Sequence, residues 1–133
     1  MKTKIRQAKE SDYSDWIDMR KKLWPEASFD ELKDLMHLKQ AKDFVCYFAE
    51  VDGLLAGFIE VALRPYANGC SFSPVAFIEG IWVDEACQKQ GVGQILVKKA
   101  EEWARAHGIK ELGSDTRIAV SYTHLTLPTN REV

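Results

Sequence analysis

The chain has 133 residues, 46% of them hydrophobic and 29% charged, with a formal net charge of −2. That size and mixture fit one compact α/β domain, and the near-neutral balance, with no Lys/Arg cluster interleaved with aromatics, excludes a nucleic-acid footprint. No apolar run approaches a membrane span, Met1-Lys2-Thr3-Lys4 leads straight into strand-like sequence, and Cys46, Cys70 and Cys87 have neither metal-type spacing nor an even count, so a cytoplasmic protein without metal or disulfides is expected.

Lys4 to Ala8 reads as a short strand, and Asp12 with Asp15 as an N-cap followed by a first-turn acid. The helix that follows carries Tyr13, Trp16, Arg20 and Leu23 on one side and stops at Trp24-Pro25, because the residue before proline is pushed out of the α region. Ser28-Phe29-Asp30-Glu31 is a capping box, and Phe29, Leu32, Leu35 and Met36 predict a second helix to about Lys39. Phe44 to Val51 and Leu54 to Leu63 are strand-like runs separated by Asp52-Gly53, a strong hairpin signal. Arg64 to Ser73, with Pro65, Asn68-Gly69 and two serines, is an exposed loop.

Val75 to Val83 is an unbroken, mostly apolar run that reads as a buried strand ending at Asp84-Glu85. Beyond it, Val92, Ile95, Leu96, Ala100, Trp103 and Ala104 recur at helical spacing, with Gln94, Lys98, Glu101, Glu102 and Arg105 on the other face. Gly108 is a plausible C′ residue, and Ile109 to Thr116 a last strand parallel to the one before the helix. Between strand and helix lies Gln88-Lys89-Gln90-Gly91-Val92-Gly93. Backbone N–H groups at such a helix start converge unpaired on the space in front of them, which suits a phosphate. The loop lacks the Gly-Lys-Ser/Thr of a P-loop and the three spaced glycines of a Rossmann fingerprint. A helix cap holding nothing is the plain alternative.

Gln-x-x-Gly-x-Gly after a strand ending in Trp-Val-Asp resembles the acetyl-CoA pyrophosphate loop of the GNAT N-acetyltransferases. The order β-α-α-β-β-β-α-β is that family's order. Leu23-Trp24-Pro25, Tyr66 with Asn68-Gly69, the octapeptide Ser-Pro-Val-Ala-Phe-Ile-Glu-Gly at 73–80, and Gly113-Ser114-Asp115-Thr116 resemble the aminoglycoside 6′-N-acetyltransferase branch. The resemblance implies a mixed central sheet with a β-bulge or splay between the fourth and fifth strands, and acetyl-CoA as co-substrate. It also implies a further C-terminal helix and strands, for which the 17 residues after Thr116 are too few. Residues 120–133, including Val120-Ser121-Tyr122-Thr123-His124-Leu125-Thr126-Leu127-Pro128-Thr129, resemble a reading frame of a transposase-derived sequencing adapter. Residues 1–119 are therefore expected to be a truncated acetyltransferase domain and 120–133 a non-native tail. The edge of the last strand would then be covered by the tail, whose Thr123 to Leu127 have enough β propensity, or by a second subunit in a homodimer.

On this resemblance the amides of Gln88, Lys89, Gln90, Gly91, Val92 and Gly93 hold the pyrophosphate, with Lys89 adding a positive charge. Ile81, Trp82 and Val83 pair with the pantetheine arm, and the Ile81 amide faces the acetyl oxygen. Glu79 interrupts an apolar strand and should have a cationic partner. As a functional residue it binds the amino sugar and accepts a proton; as a structural one it pairs with Arg64 or Arg20. Asp115 is the second carboxylate and a substrate anchor, or else a turn cap. Trp24 and Tyr66 are aromatic walls for the sugar, or core filler, and His37 and His107 have no partner at catalytic spacing. The expected partner is an aminoglycoside; the alternatives are another small amine, or a truncated CoA-binding protein with little turnover.

Overall fold

The computed structural model describes residues 2–26, 42–65, 74–114 and, as backbone, 124–126. The helix expected over 29–39, and with it His37, lies outside the described residues, as do Tyr66, Cys70 and Asp115. In chain order the elements are β1 (Thr3–Gln7), α1 (Tyr13–Leu23), β2 (Phe44–Val51), β3 (Leu54–Arg64), β4 (Val75–Val83), α2 (Val92–Ala106), β5 (Glu111–Ser114) and β6 (His124–Thr126). They build one mixed six-stranded sheet in sequence order, antiparallel throughout except for the β4–β5 pair.

Each expected strand forms because its alternation serves two opposite cores. On one face Val45, Ala49, Ile59, Val61, Ala76, Ile78, Ile81 and Val83 meet Val92, Leu96, Val97, Ala100 and Ala104 of α2. On the other, Cys46, Phe48 and Phe58 meet Trp16 and Met19 of α1. Burying one Val or Leu side chain contributes about 1.5–3 kcal/mol, so the α2 stripe holds the helix far more firmly than helix propensity would. Ile95, expected on that stripe, is 39% exposed, and Val97 is buried instead. At the helical step Ile95 lies roughly 130° from the middle of the stripe and Val97 about half as far.

The hairpin turns at Asp52 and Gly53, both with positive φ (52° and 85°). That is the turn the Asp-Gly pair favours. Helix α1 ends at Leu23 and Trp24 closes it, its N–H donating to the Arg20 carbonyl at 2.8 Å. Asp12 occupies the N-cap position, but its side chain makes no capping bond. It accepts instead from Arg6 at 2.7 and 2.9 Å and from the Lys9 amide at 2.9 Å. A buried carboxylate gains more from a two-pronged guanidinium than from a single amide, and the capping expectation gives way for that reason.

β6 pairs antiparallel with β5, Glu111 opposite Thr126 and Gly113 opposite His124. The tail thus covers the β5 edge, one of the two coverings expected. No helix among the described residues is long and apolar enough to cross a membrane.

Candidate active site

β4 changes phase in the middle. Glu60 of β3 pairs with Gly80, whereas the next residue, Val61, pairs with Ile78, which leaves Glu79 as an extra residue on β4. Before the bulge Ala76 and Ile78 face α2; after it Ile81 and Val83 do, and Gly80 and Trp82 turn toward α1. The irregularity expected where the fourth strand leaves the fifth is this bulge. The parallel ladder to β5 spans Ala76–Ile78, and β4 runs on to Val83.

The bulge fixes the direction of the amides beyond it. The Asp84 N–H donates to the Ala56 carbonyl at 2.7 Å, next to the Gly57–Val83 pair. Antiparallel strands alternate bonded and non-bonded pairs. Counting back through the register, Trp82 and Gly80 bond to β3, while the Val83 and Ile81 amides turn away from it. They turn toward the side on which β4, beyond Ile78, has no partner strand among the described residues. The Ile81 and Val83 side chains are core, 0% and 2% exposed, so what these residues present there is backbone.

Past Val83 the Asp84 side chain accepts from the Ala86 amide at 3.0 Å and starts a 3-10 turn over Glu85–Gln90. Two glutamines brace that turn from within: Gln88 Nε2 donates to the Val83 carbonyl at 3.0 Å and Gln90 Nε2 to the Ala86 carbonyl at 3.3 Å. Gly91 then swings the chain into α2 with φ 81°, a conformation L residues rarely adopt. A Cβ at Gly91 would meet nothing within 4 Å among the described residues, so the space beside that glycine is open. Ile95 N–H donates to the Gly91 carbonyl at 3.1 Å, which leaves the amides of Val92, Gly93 and Gln94 ahead of the helical ladder. Lys89 is exposed in the same turn. A cavity of about 590 Å³ between the β2–β3 turn and residues 84–90 shares only Gln90 with the predicted site.

At the bulge, Glu79 receives two hydrogen bonds from Arg64, Nε to Oε2 at 2.7 Å and Nη2 to Oε1 at 2.6 Å. Of the two structural partners considered for it, the structure selects Arg64. Trp24 packs on the Gly80 backbone so closely that a Cβ there would come within 2.5 Å of its ring. The structure therefore brings Trp24, Glu79, Ile81 and the 88–93 turn to one continuous stretch of β4 and its exit.

Sequence reasoning missed Glu60. It is 2% exposed, accepts from Trp16 Nε1 at 2.8 Å, and lies 3.4 Å from Arg20 Nε. Burial pushes its carboxyl above the usual range, opposed by Arg20 and by the Trp16 bond. A signal was present: Glu60 interrupts its apolar strand just as Glu79 does. His107, by contrast, is engaged within its own helix, Nδ1 standing 2.9 Å from the Trp103 carbonyl. Cys46 is buried, Cys87 half-buried and both are free thiols; no metal-binding cluster is present among the described residues.

A strand bulged beside a carboxylate, outward-facing amides beyond the bulge and an open glycine-containing helix start match the expected acetyltransferase plan. The model of the acetyltransferase (GNAT) family matches residues 5–121, and the chain belongs to that family. The chain is similar to two bacterial proteins named aminoglycoside N(6′)-acetyltransferase type 1. The one from Klebsiella aerogenes is 38% identical over 88% of this chain and 80% of its own. The one from Stenotrophomonas maltophilia is 40% identical over 90% and 79%. The structure of AAC(6′)-Iy in complex with the bisubstrate analog CoA-S-monomethyl-acetylneamine superposes with a TM-score of 0.83, at 33% identity over 91% of this chain and 84% of that one.

Proposed function

We propose that this chain transfers the acetyl group of acetyl-CoA to the 6′-amino group of an aminoglycoside. The relatives bear that activity in their names, and the solved neighbour holds an analog joining CoA to an acetylated aminoglycoside fragment. The observation that carries the reading is the outward turn of the Ile81 and Val83 amides between Glu79 and the open start of α2.

The residues present fit the co-substrate. The amides at the start of α2, Val92 and Gly93, receive the pyrophosphate at the positive end of the helix, while those of Gln88 to Gln90 lie in the 3-10 turn and Lys89 adds a screened charge. Trp82 and Val83 lie along the pantetheine arm, and the Ile81 amide points at the acetyl oxygen, where a donor stabilises charge as it develops. Acetyl-CoA supplies the activated acyl group. Glu79 holds the substrate ammonium and, directly or through water, takes its proton, so that the neutral amine forms the C–N bond as the C–S bond breaks and CoA leaves as the thiol or thiolate. Trp24 and Tyr66 flank the sugar, and Asp115 anchors a second ammonium.

The test is a thiol-release assay over a panel of aminoglycosides with and without a free 6′-amine. Acetylation confined to drugs with that amine supports the reading. Acetyl-CoA binding without thiol release on any of them would overturn it, and release only with other small amines would move the activity to a different acceptor.

A further inference from the structure

The buried cluster around Glu60 is joined end to end with the acceptor side of the site. Glu60 and Gly80 are partners across β3 and β4 at the bulge. Arg20, 3.4 Å from the Glu60 carboxylate through its Nε, places its Cζ 5.3 Å from the centre of the Trp24 ring. The Trp24 ring returns to Gly80, where a Cβ would lie 2.5 Å from Cζ2 and Cη2 and 2.8 Å from Leu23 Cδ2. Four residues thus close a ring through β3, α1 and β4. A buried ion pair stabilises a fold no better than apolar side chains of equal volume, so its presence at this spot asks for a positional reason. The guanidinium supplies one. Its Cζ stands over an aromatic ring at 5.3 Å, and the Glu60 carboxylate 3.4 Å from its Nε draws it to that side of the ring.

We propose that Glu60 is a positioning residue: acting through Arg20, it fixes the plane of Trp24 over the Gly80 backbone and so sets the acceptor wall beside the Ile81 amide. The proposal rests on the acetyl-transfer reading above. Trp16 serves it by donating to the same Glu60 oxygen that Arg20 approaches, which fixes that oxygen in place. Loss of the charge at Glu60 leaves the core packed but removes one contact that orients Arg20, and with it a constraint on the ring that meets the sugar.

Two variants approach the link from opposite ends: Glu60→Gln keeps an acceptor for Trp16 and removes the charge, and Arg20→Met keeps the length and removes the guanidinium. With aminoglycoside and acetyl-CoA varied separately, each raises the aminoglycoside KM about tenfold and leaves the acetyl-CoA KM unchanged, and neither adds a further loss in a Trp24→Ala background. A rise of equal size in that background, or a fall in kcat alone with both KM values unmoved, would overturn the proposal. Labelling with 5-fluorotryptophan gives a readout independent of turnover. The fluorine resonance of Trp24, assigned with Trp24→Phe, shifts or broadens in both variants while that of Trp103 stays in place. An unmoved Trp24 resonance overturns the positioning role whatever the assay gives. If the unmodified chain acetylates no aminoglycoside, the substrate reading falls and the resonance still decides the positioning role.

Discussion

Arg64 grips Glu79 with both prongs of its guanidinium, at 2.7 and 2.6 Å, while the same group lies 3.9 Å above the Phe77 ring. The side chains are 42% and 26% exposed, so the pair faces solvent and a polycationic acceptor competes with Arg64 for the carboxylate. Glu79→Gln lowers kcat/KM for the aminoglycoside about 100-fold, the usual scale for a lost general base. Arg64→Ala, which leaves the carboxylate unshared, lowers the aminoglycoside KM by about two- to fivefold, since an exposed pair is worth under about 1 kcal/mol. Steady-state kinetics of the two variants check both directions.

Gly91 stands at φ 81° with open space where a Cβ would be. Gly91→Val thus meets no steric wall, yet strains the backbone by about 1–2 kcal/mol and narrows the approach to the α2 amides. Calorimetry is expected to show weaker acetyl-CoA binding with the aminoglycoside KM unchanged.

Asp12 provides a pH test of stability. The hydrogen bonds from Arg6 hold its carboxyl below the usual range, so the native state binds its proton less readily than the unfolded chain. The stabilisation is fully present above the ordinary carboxylate range and is lost as pH falls through the lowered value. Asp12→Asn costs about 1–3 kcal/mol at pH 7, the scale of hydrogen bonds to charged groups. In thermal melts the gap in Tm between the variant and the unmodified chain closes as the pH is lowered below about 4.

The two described thiols differ in reactivity. Cys46 is fully buried, and desolvation raises its thiol well above the ordinary value, with Glu60 adding to the rise. Only thiolate reacts with a disulfide reagent. Peptide mapping after treatment with Ellman's reagent is expected to find Cys46 unmodified in the folded chain and modified in denaturant, with Cys87 modified in both.

Much of this was legible in the residues. Val75–Val83 was readable as a strand and Asp52-Gly53 as the turn of the β2–β3 hairpin because both signals are local, and the GNAT plan was readable because the 88–93 turn is contiguous. A bulge or splay was implied by the family resemblance alone; its place at Glu79 was not legible, since the change of phase exists only against the register of β3. Glu60 was passed over for a related reason. Its partners, Trp16 and Arg20, sit 44 and 40 positions away, and nothing in the spacing says that α1 covers that face. Asp12 misled because a helix-capping residue and a guanidinium ligand look alike until β1 is placed beside it.

The extra residue in β4 divides the strand into two pieces that obey different masters. The piece before it is paired to β5, and the piece after it carries Ile81 and Val83 into the same α2 core while its outer backbone edge has no partner strand among the described residues. The same nine residues paired without a bulge would alternate strictly, aiming Trp82 at the helix and Ile81 at Trp24. One amino acid of chain length thus decides which row of side chains this strand turns to each layer.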